Sequence, residues 1–302
     1  MRKPLLVVLT GPTGVGKTEL SIQLANYFTT EIISADSRQF YREMKIGTAT
    51  PTPEQLDRIP HHFIGHISIH EYYNASMFEE EVMQLLEKLF HEYPLVILTG
   101  GSGLYIDAVV KGIDELPTID MQLRNELISK HRKEGIEGLL MMLKKLDPEF
   151  YANADLRNYK RILKALEVSI MTGKPYSSHL KRKAKQRFFD ILKICLYMNR
   201  DELYNRINRR VDNMLEEGLE DEARQLYPFK GTNPLNTVGY KELFSYFEGE
   251  IPREEAIRLI KRNSRHYARR QMTWFRRDND YKWVYPFQEK EIMDAIQEKL
   301  QE

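Results

Sequence analysis

The chain has 302 residues, 42% of them hydrophobic, which is enough to bury a sizeable core and suggests one large domain or two. The formal net charge is only +1 and there is one cysteine, Cys195, so an internal disulfide is excluded. Cys195 lies in an apolar run and is interpreted as a small buried hydrophobe. The apolar run at residues 5–9 is too short for a signal-peptide core or a membrane span, and we expect a cytoplasmic, monomeric protein.

Residues 5–9 lead directly into the motif G-x-x-x-x-G-K-T, and a helical pattern follows it. This strand, loop and helix context is the one in which the motif binds phosphate, as in ATP-binding proteins. Consecutive backbone N–H groups turn toward a polyphosphate, Lys17 adds a point charge, and Thr18 is placed to hold a magnesium ion. An ordinary glycine-rich turn is the alternative. The predicted phosphate loop consists of Gly11, Pro12, Thr13, Gly14, Val15, Gly16, Lys17 and Thr18.

Strand patterns at residues 31–35 and 94–98 alternate with helical patterns, including one at residues 76–91, and a further strand is predicted at residues 62–67. Such alternation implies right-handed crossovers and a parallel sheet. The fold class is therefore α/β, with a P-loop NTPase-like parallel sheet flanked by helices. Because parallel strands end at one edge, the phosphate loop, Asp36 and the turn at residues 100–103 should meet in one crevice.

From about residue 116 strand patterns vanish and leucines recur at helical spacing, until a strand pattern returns at residue 188. We predict an all-helical insertion at residues 116–187 within a core formed by residues 1–115 and 188–302. In the second part of the core, residues 200–226 should form one long helix or two joined at Gly218. A long helix from residue 253, a short strand at 283–285 and a helix at 289–300 should follow.

Basic residues are concentrated in two segments. Residues 157–187 contain ten Lys or Arg and one acid, Glu167, while residues 258–277 contain eight and no acid. This asymmetry is typical of a protein that binds a phosphate backbone, and solvated helix faces are the alternative. His266, Tyr267, Trp274 and Phe275 interleave with the second segment and would offer rings for stacking single-stranded bases. Trp274 and Phe275 would otherwise be core residues.

The position of one carboxylate, Asp36, limits the classes of reaction that the crevice could catalyse. NTP hydrolases carry an acid on an apolar strand, but the strand at 95–98 runs into Thr99-Gly100-Gly101. Asp36 follows the second strand instead, where small-molecule kinases of this fold place an acid facing the phosphate acceptor. Residues alone thus favour group transfer from a phosphorylated donor, with Asp36 as general base or, alternatively, only as a turn former. Arg206 and Arg210 are four residues apart on a helix and can reach one target.

Four histidines, His61, His62, His66 and His70, raise the question of a metal site. No cysteine accompanies them and they do not form an H-E-x-x-H arrangement, so a zinc site is disfavoured.

Taken together, the chain resembles the tRNA dimethylallyltransferases, also called tRNA isopentenyltransferases. The motifs that carry the resemblance occur in the family's order and cover nearly the whole chain. They are GPTGVGKT, DSRQFYREMKIGTATP, GGSGLY, RNYKRILKALEV followed by GKP, RINRRVDNMLEEGLEDE, NTVGYKEL and ARRQMTWFRR.

The resemblance implies that the phosphate loop holds the diphosphate of dimethylallyl diphosphate, with Mg²⁺ assisting. The acceptor is then the exocyclic N6 amine of the adenosine immediately 3′ of a tRNA anticodon, flipped out of its loop. Asp36 would accept the amine proton, while Thr13, Lys17, Thr18 and one or both of Arg206 and Arg210 would stabilise the departing diphosphate. The helical insertion would grip the anticodon stem-loop. The residues implied to touch tRNA are Asp36, Ser37, Arg38, Gln39, Ser102, Arg124, Arg157, Asn158, Tyr159, Lys160 and Arg161.

Two positions depart from the family pattern. Ser102 stands where the family usually has threonine, and Gly65 where an aspartate is common. Two rival functions stay open at this point: a small-molecule or nucleoside kinase of the same fold, and a non-catalytic RNA-binding module.

Overall fold

A computed structural model of the protein describes residues 2–114, 116–117, 120–180 and 184–302, which form two compact units. The core unit comprises Met1–Lys111 and Gln186–Glu302, and the inserted unit comprises Gly112–Lys185. The sequence prediction placed the boundaries of the insertion at residues 116 and 187. Lys181, Arg182 and Lys183 of the first basic segment lie outside the described residues.

The core unit is built on one sheet of six parallel strands in the order β3-β2-β4-β1-β5-β6. Parallel pairing confirms the predicted fold class. The strands are β1 (Leu5–Thr10), β2 (Ile32–Ser34), β3 (His61–His62), β4 (Leu95–Gly100), β5 (Asp190–Leu196) and β6 (Lys282–Val284).

Helices connect these strands and cover both faces of the sheet. In the core unit they are α1 (Lys17–Phe28), α2 (Pro53–Arg58), α3 (Ala75–Glu92) and α4 (Gly103–Lys111) before the insertion. The inserted unit contains α5 (Met121–Leu146), α6 (Pro148–Asn153), α7 (Tyr159–Thr172) and α8 (Tyr176–His179). After it come α9 (Arg200–Glu216), α10 (Leu219–Leu226), a 3₁₀ turn (Tyr227–Phe229), α11 (Tyr240–Phe247), α12 (Arg253–Phe275) and α13 (Glu289–Gln301).

Strand β1 is the centre of the core because all of its residues are buried, as expected for a strand covered on both faces. Alternation along the strand sends Leu6 and Val8 into one apolar cluster and Leu5, Val7 and Leu9 into the other. The register pairs Thr10 with Gly100, and Ser34 with Thr99. The carboxyl ends of β1, β2 and β4 are therefore level at one edge of the sheet.

The strand predicted at residues 62–67 is wrong beyond His62. Phe63 has φ 64° and Gly65 has φ 58°, and this left-handed backbone cannot continue an extended strand. The segment is instead tied to the turn after β2, since the Gly65 N–H donates to the Gln39 carbonyl at 2.8 Å.

Residues 200–226 form two helices, α9 and α10, which resolves the alternative that the sequence left open. Gly218 separates them with φ 100°, a conformation that glycine adopts without steric cost. The basic helix α12 and the terminal helix α13 begin at the predicted residues 253 and 289.

The inserted unit has its own apolar core, formed between α5 and α7. Leu139, Leu143, Ile162 and Leu166 are fully buried there. Helix α5 is interrupted at Gly135, where φ is 72° and ψ −168°. Across the described ranges of both units, none of the helices is long and apolar enough to cross a membrane.

Candidate active site

The phosphate loop joins β1 to α1 at the carboxyl edge of the sheet. Gly11 has φ 146°, and a Cβ at this position would lie 2.6 Å from the Leu196 carbonyl oxygen, so only glycine fits against β5. Gly16 precedes the first helical residue with φ 107° and allows the chain to enter α1. The N-terminus of α1 therefore points into the crevice. The N–H groups in the first turn of a helix have no partner within the helix and can bind an anion.

Lys17 is the first residue of α1, and its side chain folds over the loop. Its Nζ donates hydrogen bonds of 2.9 Å to the carbonyl oxygens of Gly11 and Pro12. Burial lowers the pKa of Lys17 to about 8, although the neighbouring Asp36 carboxylate opposes this change. A bound anion would add a second negative partner and favour the charged form.

A cavity of about 610 Å³ lies in front of the phosphate loop, and we call it the first cavity. Two arginines of α9 face the loop across it. Arg206 Nε donates to the Gly14 carbonyl at 2.9 Å, which fixes this arginine against the loop. Arg210 has no hydrogen-bond partner among the residues that the structure describes, and burial lowers its pKa while Asp36 opposes the change. The exposed Arg209 also lines the first cavity, so three arginines of α9 form its cationic wall.

A second cavity of about 450 Å³ adjoins the first. Thr13, Asp36, Arg210 and Met214 line both, so Asp36 stands where the two spaces meet. The rest of the second cavity is lined by the turn after β2, by residues 47 and 48, by residues of α9 to α12 and by the loop that precedes α11, and the lining includes Tyr267 and Arg270. This arrangement lets a group held by the phosphate loop face another group that enters from the second cavity.

Asp36 also has the turn-forming role that the sequence left as an alternative. Its Oδ1 accepts the Arg38 N–H at 3.1 Å, and its carbonyl accepts the Gln39 N–H at 3.0 Å. A carboxylate offers about four acceptor sites, so this bond leaves capacity for a ligand. The Asp36 charge also acts on Tyr267, whose pKa is raised mainly by burial. Asp36 therefore both forms the turn and lies at the junction of the two cavities.

The residues that follow Asp36 make hydrogen bonds to other segments of the core unit. The Ser37 N–H donates to Ser102 Oγ at 2.9 Å, and the Ser102 hydroxyl donates to Ser37 Oγ at 3.0 Å. Arg38 lines the second cavity and donates to the Asn233 carbonyl at 3.4 Å, while Gln39 lines the first cavity. The Ser102 hydroxyl, which a threonine would also provide, therefore links the turn between β4 and α4 to the turn after β2.

Gln271 of α12 is a site residue that sequence reasoning missed. It is 5% exposed, lines the first cavity, accepts the Thr13 N–H at 2.8 Å and donates to the Gly101 carbonyl at 2.9 Å. The signal was available, because an uncharged amide interrupts the run of basic residues in ARRQMTWFRR. Nothing in the spacing alone indicated which element it would contact.

Several residues implied to touch tRNA lie in the inserted unit. Asn158 caps α7, since its Oδ1 accepts the Arg161 N–H at 3.2 Å, and Arg161 lies over the Phe150 ring. Tyr159 packs against the His131 ring with centroids 4.2 Å apart. Arg124 of α5 is 3.6 Å from the fully buried Glu167. Arg157 and Lys160 are exposed beside them at the start of α7.

Burial decides between the alternative interpretations of Phe275 and Cys195. Phe275 is 1% exposed, so it is a core residue and the stacking interpretation is wrong for it. Trp274 Nε1 donates to Asp107 at 3.0 Å, while the Arg277 guanidinium covers its ring at 3.8 Å. Cys195 is fully buried as predicted, and burial raises its pKa to about 12, which keeps it an unreactive thiol.

The four histidines have separate environments, and the His70 ring packs against the Phe229 ring. His62 Nε2 is 2.6 Å from Glu31, His61 Nδ1 is 2.8 Å from the Ile59 carbonyl, and His66 packs among the rings of Phe40, Phe63 and Tyr73. No group of three or more metal-ligating side chains occurs in the described part of the chain.

The sheet order, the phosphate loop and the crevice at the strand ends define a P-loop α/β protein with an anion site facing a general-base candidate. The family model described as IPP transferase matches residues 39–278. The chain therefore belongs to the IPP transferase family.

Individual relatives agree with this assignment. The tRNA dimethylallyltransferase 1 of Bacteroides fragilis is 54% identical, and the match covers 99% of this chain and 100% of the relative. The solved structure of the full-length tRNA isopentenylpyrophosphate transferase of Bacillus halodurans has a TM-score of 0.73 at 38% identity and covers 99% of this chain and 97% of that one. A eukaryotic dimethylallyltransferase acting on tRNA has a TM-score of 0.79 at 27% identity, over 94% of this chain and 74% of the other.

Proposed function

We propose that this protein transfers a dimethylallyl group from dimethylallyl diphosphate to tRNA, at the N6 amine of the adenosine immediately 3′ of the anticodon. The observation that carries the proposal is the placement of Asp36 at the junction of two cavities, one of which contains the phosphate loop and three arginines. Relatives named tRNA dimethylallyltransferase match nearly the whole chain, and their names support tRNA as the acceptor and a dimethylallyl group as the group transferred. The phosphate loop supports a diphosphate as the leaving group.

In the proposed reaction the N6 nitrogen attacks the first carbon of the dimethylallyl group. The new N–C bond forms as the C–O bond to the diphosphate breaks, and the electron pair of that bond leaves with the diphosphate oxygen. The amine proton passes to an oxygen of Asp36, which serves as general base. A flipped adenosine would enter through the second cavity, because the first cavity contains the anion site.

The cations of the first cavity act mainly on the transition state. Negative charge grows on the diphosphate as the C–O bond lengthens, and donors already in place stabilise that charge without further reorganisation. Arg206 is fixed by its bond to Gly14, whereas the Arg210 guanidinium has no hydrogen-bond partner within the described part of the chain. Lys17 would exchange its bonds to the Gly11 and Pro12 carbonyls for bonds to the diphosphate.

The residues present fit a magnesium ion held largely by the substrate. The Thr18 hydroxyl lines the first cavity and has no hydrogen-bond partner among the residues described, and Ser34 and Asp36 line the same cavity. Magnesium often takes one or two protein oxygens, with phosphate oxygens and water completing its shell. Thr18 would be the protein ligand, and the ion would supply charge neutralisation for the leaving diphosphate.

The test uses the purified protein with labelled dimethylallyl diphosphate and unmodified tRNA, and in a separate reaction with labelled ATP. We expect label from the prenyl donor to enter tRNA in a magnesium-dependent reaction and to be found on a single adenosine after digestion. Phosphoryl transfer from ATP without prenyl label in tRNA would instead support a kinase of the same fold. Tight tRNA binding with neither transfer would support a non-catalytic RNA-binding module.

A further inference from the structure

The carboxylate of Glu222, at the start of α10, receives four hydrogen bonds from two distant parts of the core unit. Three come from consecutive backbone N–H groups, with Lys45 and Ile46 donating at 2.8 Å each and Gly47 at 2.9 Å. The fourth comes from the Tyr240 hydroxyl of α11 at 2.7 Å. An ionised carboxylate has about four lone-pair sites, so these donors saturate it. Only a carboxylate can satisfy all four, because an amide group would present N–H to part of the set.

The segment held by Glu222 forms part of both cavity walls. Gly47 and Thr48 line the second cavity, and Ala49 and Pro51 line the first. Gly47 lies so close to the Tyr240 ring that a Cβ would be 2.6 Å from it, which leaves little freedom for the segment to shift toward α11. Residues 45–51, here called the partition loop, therefore border the two spaces that meet at Asp36.

The opposite side of the partition loop is held by Gln39. Its Nε2 donates to the Thr48 and Ala49 carbonyls at 3.2 and 3.0 Å, and its own N–H donates to the Asp36 carbonyl at 3.0 Å. Ala49 has φ 46°, a conformation that costs a non-glycine residue energy and persists when its surroundings determine it. A continuous set of hydrogen bonds thus runs from Glu222 through the partition loop to the turn of Asp36.

From this geometry we infer that Glu222 is a positioning residue for the transfer reaction. It fixes the partition loop by binding three consecutive N–H groups, and the loop in turn fixes the opening through which the acceptor faces the allylic carbon. The inference rests on the proposed function for its kinetic consequence, but the clamp itself is a property of the fold. A displacement of about 1 Å between reacting groups can cost about 10²-fold in rate.

The test compares Glu222→Gln with Glu220→Gln in the full-length protein. Glu220 is in the same helix, but its Oε2 accepts from Arg253 at 2.8 Å and makes no bond to the partition loop. In Glu222→Gln we expect amide hydrogen exchange at residues 45–47 to accelerate at least roughly tenfold, and kcat to fall roughly 10- to 100-fold. The dissociation constant for dimethylallyl diphosphate should change less than about threefold, because the phosphate loop is untouched. Glu220→Gln should match the wild type in all three measurements.

Two results would overturn the inference: unchanged exchange at residues 45–47 in Glu222→Gln, or accelerated exchange with kcat within about twofold of the wild type. If Glu222→Gln does not fold, Tyr240→Phe removes one of the four donors and should give the same pattern to a smaller extent. Tyr240→Phe with wild-type exchange and kcat would then contradict the inference. A wild-type protein without transfer activity would refute the proposed function, whereas the exchange measurement would still decide whether the clamp exists.

Discussion

The backbone N–H of Thr13 donates a 2.8 Å hydrogen bond to Oε1 of Gln271, which joins the phosphate loop to the basic helix α12. The Gln271 amide also donates to Gly101, so one buried side chain ties together three separate segments of the crevice. Because the amide orients Thr13, it determines where the Thr13 side chain lies at the junction of the cavities. Helix α12 therefore contributes to the anion site through the uncharged side chain of Gln271.

Replacing Gln271 by Ala should weaken donor binding. The substitution leaves the Thr13 N–H and the Gly101 carbonyl without their partner, and each neutral hydrogen bond contributes about 1 kcal/mol. We expect KM for dimethylallyl diphosphate to rise roughly tenfold in steady-state assays. Gln225→Ala, at an exposed position of α10, is the control. Equal KM values for the two variants would show that the Thr13 bond does not matter for the site.

Asp36→Ala should abolish transfer while tRNA affinity stays within about twofold of the wild type. General-base catalysis contributes about 10²–10⁴-fold in rate, and neutralising one carboxylate does not weaken binding of a polyanion. Asp36→Asn should be equally inactive although it can still accept the Arg38 N–H. Single-turnover assays and filter binding measure the two quantities, with the exposed Asp57→Asn as control. A substantial residual rate in both variants would exclude Asp36 as the base.

Donor binding should weaken as pH rises above about 8. The pKa of Lys17 is lowered to about 8 by burial, so the free enzyme loses this positive charge as pH passes through that value. The expected result is a decline in kcat/KM for dimethylallyl diphosphate above about pH 8, since this parameter reports ionisations of the free enzyme. Lys17→Met should be less active throughout and lack the decline. An identical decline in Lys17→Met would assign the ionisation to another group.

Arg210→Gln should reduce catalysis more than it reduces binding. The Arg210 guanidinium has no hydrogen-bond partner among the described residues and lines both cavities, so its donors are available to the diphosphate as charge develops. Removing one such preorganised donor costs about 10²–10³-fold in kcat. Arg200→Gln, at an exposed position of the same helix, is the control. A rise in the dissociation constant of the donor with kcat unchanged would indicate ground-state binding only.

Asp147→Ala should destabilise the inserted unit without altering the core unit. Asp147 is fully buried, caps α6 through the Phe150 N–H at 2.9 Å, and accepts the Ser177 N–H at 2.6 Å and hydroxyl at 2.8 Å. Losing a cap and leaving buried donors unpaired costs roughly 2–4 kcal/mol. Hydrogen exchange of α6 and α7 should accelerate, whereas β1 should exchange as in the wild type. Asp155→Ala removes an exposed carboxylate of the same unit and should have little effect.

Local sequence determined the strands and helices whose signals are short-range. An apolar run followed by G-x-x-x-x-G-K-T and a helical pattern favours β1, the phosphate loop and α1 over an ordinary glycine-rich turn, because backbone sterics and helix polarity act within a few residues. The alternation of strands and helices also determined the parallel sheet, and with it the meeting of Asp36 and the loop at one edge. The family was recognisable for the same reason, since its motifs are contiguous stretches.

Tertiary structure decided what depended on contacts between distant segments. The strand predicted at residues 62–67 ends at His62 because the chain bends to hydrogen-bond with Gln39, and no pattern within that segment encodes this bond. Whether Phe275 stacks on bases or is buried depended on how α12 packs. Gln271 and Glu222 escaped notice because each acts through partners far away in sequence. The phosphate loop could therefore be predicted from sequence alone. Gln271 and Glu222, which position the phosphate loop and the partition loop, could be identified only from the folded chain.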